Sequence, residues 1–292
     1  MANDNIKVNT VEDKQKGGVK SRRTFCYVVL IFFSFLCLFW FYLLFINTTR
    51  SHQEMSAGFT PIPSTHLFEN MKNLFHGTQP VLRGMLNSLV ISALNCLVCV
   101  YFSTMTAYAI HAYEFKLKKP LFTMILAIMM IPTQVTALGF IQLITAMKLM
   151  DNPVPLIVPA VASPIVFFYI KQYMESTLPM ELLEAARIDG AGELRTFNGI
   201  ALPLMVPAMA VQAIFAFVAS WNNYFTPALV LSTETKKTLP ILIAALRGAD
   251  FLKFDMGQVY AMISFSIFPV IVVYLVLSKY IVGGMAAGAV KG

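Results

Sequence analysis

Apolar and polar stretches alternate along this chain on a scale of tens of residues. Apolar runs cover Phe25 to Ile46, Met85 to Ile110, Leu121 to Ala146, Val154 to Ile170, Ile200 to Ala219 and Met256 to Ser278. The first carries no charge, and at about 1.5 Å per residue it reaches about 33 Å, enough for a hydrocarbon core roughly 30 Å thick. Runs of this length without strict two-residue alternation predict helices, because only helices and closed barrels satisfy backbone polar groups in lipid. The pattern therefore predicts an all-α, polytopic membrane protein with six transmembrane helices. A cleaved signal peptide fits the first run poorly. The polar segment before it is long for a leader, the apolar stretch exceeds the usual length, and no small-x-small cleavage site follows.

Composition strengthens this picture: of 292 residues 57% are hydrophobic and 13% charged, with a mean hydropathy of +0.67, far too apolar for an ordinary soluble domain. The net charge of +7 does not mark a nucleic-acid surface, because the basic residues stand at the ends of apolar segments. Lys14, Lys16, Lys20, Arg22 and Arg23 precede the first run, and Lys116, Lys118 and Lys119 precede the third, which assigns both regions to the cytoplasm. An even number of spans returns the C-terminus to the same side, in agreement with Lys279. The expected organisation is a cytoplasmic tail over 1–24 and one membrane domain over 25–292, with both termini cytoplasmic. Arg50 to Arg83 and Ser220 to Asp255 become external loops. Within the second, Thr238 to Gly248, TLPILIAALRG, is apolar but too short to span. It is either a re-entrant or interfacial helix or a segment packed within the loop.

Several chemistries are excluded by what the runs lack. None of the six contains Asp, Glu, Lys, Arg or His, whereas ion-coupled carriers commonly place an ionisable residue near the bilayer centre. No GxxxxGK[ST] loop occurs to cradle nucleotide phosphates, and no nucleophile or paired-carboxylate constellation suggests an intramembrane enzyme. Cys96 and Cys99 form a CxxC in mid-span, outside any redox or zinc context, and Cys26 and Cys37 also sit in apolar sequence. His52, His66, His76 and His111 show no metal-ligand spacing. In the second run Ser88, Ser92, Asn95, Cys99, Ser103 and Thr106 recur at steps of three and four and share one helical face. Close helix packing is the first explanation of such a stripe, and lining of a pathway the second.

The densest cluster of charge lies between the fourth and fifth runs, in ELLEAARIDGAGELRTFNGIALPLMVP from Glu181 to Pro207. Its layout predicts two short helices beside the membrane. Ser176 and Thr177 are candidate caps, Pro179 suits a first turn, Glu181 and Glu184 complement the positive end, and Gly190 suits a left-handed stop. Leu182, Leu183 and Ala186 are expected on one side. Pro203 and Pro207 then admit the chain to the next span with a kink.

The stretch EAARIDGAGELRTFNGIALP closely resembles the EAA loop of ATP-binding-cassette importer permeases, with Glu184, Ala185, Ala186, Gly190, Ile200, Leu202 and Pro203 at the family's spacing. NSLVIS from Asn87, IPTQVT from Ile131, WNNYFTPALVLS from Trp221 and GGMAAGAVKG from Gly283 resemble the carbohydrate-uptake branch, the smaller maltose-type permease. Asn223 departs from the pattern, since many relatives carry an acidic or another polar residue there. The resemblance implies a coupling helix seated in a cleft of a separate ATPase. Glu184 would contact that ATPase, Ala185 and Ala186 would permit close approach, and Gly190 would set the turn beside Asp189. It further implies a second homologous permease, two ATPase subunits holding ATP and magnesium, an extracytoplasmic solute-binding protein, and a sugar as solute in a bacterial or archaeal plasma membrane. No cofactor, metal or catalytic residue is expected in this chain itself. Candidate pathway groups are Gln134 in the proline-interrupted third run, and Trp221, Asn222 and Tyr224 near the outer end of the fifth. Amides inside a bundle also serve as helix glue, and boundary aromatics as interfacial anchors.

Overall fold

A computed structural model of the chain describes residues 2–77, 79–248 and 254–289, with side chains from residue 22 to 281 within those limits. Lys14, Lys16, Lys20, the whole GGMAAGAVKG end and residues 249–253 of the second predicted external loop lie outside the residues whose side chains are described.

Every described element is helical, in the order α1 (Ala2–Thr48), α2 (His52–Ser56), α3 (Leu67–His76), α4 (Val81–Ala112), α5 (Lys118–Ile128), α6 (Thr133–Ala146), α7 (Val154–Ile157), α8 (Pro164–Thr177), α9 (Met180–Ile188), α10 (Glu193–Thr196), α11 (Leu202–Trp221), α12 (Phe225–Val230), α13 (Leu239–Arg247) and α14 (Met256–Ala289). Five helical segments among the described residues are long and apolar enough to cross a membrane, namely Arg22–Thr48, Val81–Ala112, Val154–Thr177, Glu193–Trp221 and Met256–Ile281. The third predicted span supplies a sixth only if α5 and α6 count together. These two helices meet at a bend of 99°, because Pro132 at the start of α6 disfavours helical backbone at Ile131 and cannot donate an N–H. Helix α1 continues without a break through the expected boundary at residue 24.

The chain divides into two compact units. In the first, Met1–Met71 with Met256–Ser264, the end of α1 is tied to the start of α14 by Thr48 Oγ1, 2.6 Å from Ser264 Oγ. The amide of Asn70 donates to the carbonyls of Thr48 and Arg50 at 2.9 Å each. Helix α2 opens with a reciprocal capping box, in which Glu54 N–H donates to Ser51 Oγ and Ser51 N–H to the Glu54 carboxylate.

The second unit, Lys72–Asp255 with Phe265–Gly292, is organised on α4, which packs against α8, α11 and α13. The small polar stripe of α4 supplies these contacts. Asn95 donates to the Leu156 carbonyl at 2.9 Å, Ser103 to the Ser163 carbonyl at 3.4 Å, and Ser88 Oγ accepts the Leu239 N–H at 2.8 Å. Cys96 and Cys99 are buried, with the Cys96 thiol on the Ala213 carbonyl. Thr106, at the end of the stripe, is exposed and bonded to its own helix. The short apolar segment Thr238 to Gly248 forms α13, which buries Leu239, Ile241 and Leu242 and approaches α4 closely at Gly84. The fifth span enters through a π-helical turn at Phe197–Ala201. Pro203 cannot donate to Gly199, and Pro207 cannot donate to Pro203, so the regular ladder is interrupted where the kink is expected.

Candidate functional site

Between α8 and α11 the chain makes the helical hairpin α9–α10, which contains Glu184, Ala185, Ala186, Asp189 and Gly190. The expected cap is not formed. Ser176 and Thr177 remain in the last turn of α8, with Ser176 Oγ donating to the Tyr173 carbonyl. Pro179 takes the N-cap position of α9 without a side-chain hydrogen bond. The reason is burial of the linking Leu178, whose carbonyl lies 3.0 Å from His111 Nε2. Glu181 occupies the first turn, as its charge favours.

Gly190 has φ +73°, a left-handed value that side chains with a Cβ rarely adopt. Around it, Ala191 N–H donates to the Ala186 carbonyl and Gly190 N–H to the Arg187 carbonyl, both at 3.0 Å. This pair of bonds is a Schellman stop, and it turns the chain directly into α10.

The hairpin is fixed to the end of α4 by a small polar network. Arg187 Nε donates to Glu193 Oε1 at 3.2 Å, and the same guanidinium donates to the carbonyl of Ala112 at 3.2 Å, one of the acceptors that a helix end leaves unpaired. It also lies over the Tyr113 ring at 5.3 Å. Tyr108 donates to Glu193 Oε2 at 3.2 Å. Burial, reinforced by the neighbouring Glu193 carboxylate, raises the Tyr113 hydroxyl above its ordinary pKa.

The two faces of the hairpin differ. Leu183, Ala186, Thr196 and Phe197 are buried, so the small Ala186 allows α9 to approach its own bundle. Leu182, expected on the same side as Leu183 and Ala186, is exposed, since one step round the helix from Leu183 turns it through about 100°. Glu184, Ala185 and Asp189 are exposed too, together with Ile188 at 85% and Leu194 at 70%. The Arg187–Glu193 pair escaped the sequence reasoning because six residues and a turn separate its members. Ile188 and Leu194 were legible as apolar residues in a charged stretch.

A second feature lies within the same unit. A cavity of about 370 Å³ opens between α4, α6, the segment around Pro155 and Pro159, and the α11–α12 junction. Ser92, Asn95, Thr133, Thr136, Ser220, Asn223 and Thr238 contribute polar groups to its wall, and Phe140 and Phe225 contribute rings. Gln134, Asn222 and Tyr224 are exposed and stand outside this lining, while Trp221 is 3% exposed and stacks on Phe217. Their immediate neighbours Thr133, Ser220, Asn223 and Phe225 reach the cavity.

Residues 100–286 match the family described as binding-protein-dependent transport system inner membrane component. The chain is 35% identical over 233 residues to the arabinooligosaccharides transport system permease protein AraQ of Bacillus subtilis (strain 168), covering 79% of this chain and 81% of that protein. It is 32% identical over 267 residues to the sn-glycerol-3-phosphate transport system permease protein UgpE of Yersinia pestis bv. Antiqua (strain Antiqua), covering 89% and 95%. In fold it is similar to a chain of a bacterial ABC transporter involved in the import of the acidic polysaccharide alginate, with a TM-score of 0.75, 22% identity, and 87% and 94% of the two chains covered.

Proposed function

The chain belongs to the family of binding-protein-dependent transport system inner membrane components, and from that premise we propose that it is the permease subunit of an ATP-driven importer for a sugar or oligosaccharide. It is a multi-pass transport subunit and not an enzyme. A second homologous permease forms the other half of the pathway. Two ABC ATPase subunits hold ATP and magnesium, and an extracytoplasmic binding protein delivers the solute. The carbohydrate assignment is supported by the similarity to the arabinooligosaccharide permease.

The observation that carries the coupling role is the surface of the α9–α10 hairpin. Exposed apolar side chains rimmed by charge mark a contact surface, and here Leu182, Ile188 and Leu194 stand beside Glu184 and Asp189. The Arg187–Glu193–Ala112 network holds that surface on α4, while α10 runs on into α11. Closure of the ATPase pair moves the hairpin, and the hairpin shifts the membrane helices between outward and inward arrangements. Both termini and the hairpin lie in the cytoplasm in this arrangement.

The test is disulfide cross-linking from Ile188→Cys and Leu194→Cys, in a background lacking the four native cysteines, to single cysteines on the co-expressed ATPase. Nucleotide-dependent cross-links together with ATP-dependent sugar uptake in proteoliposomes are expected. Sugar uptake without any ATPase cross-link from either position would remove the hairpin from the coupling role.

A further inference from the structure

In the first unit the chain that leaves α1 folds back along the helix it has just left. Just past the helix end, the buried Arg50 guanidinium donates to the Glu54 and Gly58 carbonyls and holds the entrance of a loop over residues 57–65. At the exit, Thr49 Oγ1 accepts the Ser64 N–H at 2.8 Å and the Thr49 carbonyl accepts the His66 N–H at 2.9 Å. The tip is tied lower down. Tyr42 Oη donates to the Pro61 carbonyl at 2.6 Å, and Tyr42 stands well before Thr49 in the sequence, about 10 Å back along the helix. Helical side chains lean toward the N-terminus, so the Tyr42 hydroxyl does not reach outward from that level. Tyr42 lies inside the span Arg22–Thr48 and inside the apolar run that ends at Ile46. The loop tip therefore sits about 6 Å inside the end of that run, within the roughly 5–10 Å by which interfacial segments enter the headgroup and acyl boundary.

The chemistry of the tip fits that depth. Residues 57–65, AGFTPIPST, carry no charged side chain. Pro61 and Pro63 have no N–H to satisfy, the Ile62 N–H donates to Thr60 Oγ1 at 3.2 Å, and the Ser64 N–H is held by Thr49. From 61 to 64 every backbone donor is thus absent or paired, the condition under which irregular backbone can leave water. Phe59 and Ile62, in contrast, are 71% and 68% exposed, although the loop that carries them is fastened at three points. The adjoining span exposes Leu38, Phe41 and Phe45. A helix of this length and composition is built to meet lipid, and the loop continues its apolar surface. A protein arriving from water would meet the chain above the end of the span, whereas the tip lies below it.

We propose that residues 57–65 are a membrane-inserted loop, which dips beside α1 and seats Phe59 and Ile62 in the headgroup and acyl boundary of the phospholipid leaflet at the C-terminal end of that helix. In the topology given above this is the outer leaflet. With no basic residue the loop gains nothing from anionic headgroups, so its hold is apolar contact and does not depend on lipid charge. The seat fixes the depth of the end of α1 and, through the Thr48–Ser264 contact, of the start of α14. The proposal rests on α1 crossing the membrane and is independent of the solute transported.

The experiment uses the full-length chain with its partner permease and ATPase subunits, in a background lacking the four native cysteines, reconstituted in phosphatidylcholine vesicles. Phe59→Cys, Ile62→Cys and, as a reference, Gln53→Cys on the exposed side of α2 are each labelled with a small environment-sensitive fluorophore. Lipid brominated near the top of its acyl chains should quench the labels at 59 and 62 and spare the one at 53. Iodide on both sides of the membrane should do the reverse. Replacing part of the phosphatidylcholine by phosphatidylglycerol should leave the quenching unchanged, and lipid quenching that needs the anionic lipid would contradict the apolar seat. Iodide quenching alone at 59 and 62 would make the loop a solvated one and overturn the proposal. Protection from both quenchers would overturn it as well, because protein and not lipid would then cover the loop. Ile62→Asp, added to the chain labelled at 59, should abolish lipid quenching there while membrane abundance is kept. Unaltered lipid quenching in that variant would show that the fluorophore itself seeks the lipid, and the seat would fall.

Discussion

Arg187 and Glu193 stand on opposite limbs of the α9–α10 turn, and their side chains meet with Nε 3.2 Å from Oε1. Both are substantially exposed, 33% and 46%, so the ion pair alone contributes little, about 0.2–1 kcal/mol after screening. The guanidinium also closes the end of α4 through the Ala112 carbonyl, and a Lys at 187 offers no planar fork to reach both acceptors at once. Arg187→Lys should therefore lower uptake nearly as far as Arg187→Ala, while protein abundance is kept. A double-mutant cycle with Glu193→Gln should give a coupling of about 0.5–1 kcal/mol in stability. Full activity in Arg187→Ala would show that the clamp is dispensable.

Gly190 separates backbone conformation from contact. A Cβ there would meet nothing within 4 Å, yet φ is +73°. Gly190→Ala should cost about 1–2 kcal/mol through conformation alone. Gly190→Pro should cost more, because proline cannot adopt that φ and removes the N–H that bonds the Arg187 carbonyl. Uptake should be lost in Gly190→Pro and in Glu184→Lys, with the permease still inserted. Normal uptake in both variants would sink the coupling role, and disappearance from the membrane would make the loop structural.

At Gly84 the limit is space. A Cβ would lie 2.4 Å from Leu242 Cδ1, and Leu242 is fully buried, so its side chain has little room to withdraw. Gly84→Ala should lower the thermal stability of the detergent-solubilised complex by about 1–3 kcal/mol. Adding Leu242→Ala should recover part of that loss, a sign of non-additivity between touching residues. Simple addition of the two losses would place the strain elsewhere.

Asp151 gathers the chain between α6 and α7 onto the chain after α12. Its carboxylate accepts from Ser232 N–H, Thr233 N–H, Thr233 Oγ1 and Lys236 Nζ, at 2.7 to 3.0 Å. These bonds, led by the Thr233 backbone N–H, hold its pKa well below the usual carboxylate range. A folded pKa depressed in this way gives stability that is complete above the unfolded value of about 3.9 and fades only as pH falls toward the folded value. The destabilisation by Asp151→Asn should accordingly be the same at pH 5.5 and pH 8. A melting-temperature difference confined to the higher pH would contradict it.

Positions 118 and 193 should be reached by an impermeant thiol reagent only from the cytoplasmic side, and positions 72 and 236 only from outside. Single-cysteine labelling in intact cells measures this. External labelling at 193 would overturn both the topology and the coupling role.

What the sequence made legible, and what it did not, follows from the range of the forces involved. The apolar runs announced the helices, because burial in lipid demands length and composition that no other element needs. Gly190 announced its turn, because a left-handed backbone selects glycine locally. The break at Pro132 was visible, but its 99° angle depends on what α5 and α6 pack against. Ser176 and Thr177 looked like caps by spacing, yet the burial of Leu178 decided where α8 ends. Trp221 looked like a pathway aromatic, and stacking on Phe217 drew it into the core. The cavity was the least legible feature, since Ser92, Thr133, Asn223 and Thr238 converge only through the tertiary fold. The α4 stripe containing Ser92 and Asn95 was the one local hint.

The continuity of the segment from Glu193 to Trp221 has a mechanical consequence. Its 29 residues make a rod of about 43 Å at helical rise, with Glu193 bonded into the hairpin network at one end and Asn223 in the cavity wall just past the other. In the proposed coupling, the stroke that such a rod passes on is set by whichever joint along it yields first. The π-helical turn at Phe197–Ala201 and Pro207 are the compliant points, the first near the hairpin end and the second midway along. In the proposed coupling, the half of the span beyond Pro207 moves as one piece, and the gearing is fixed in the half before it.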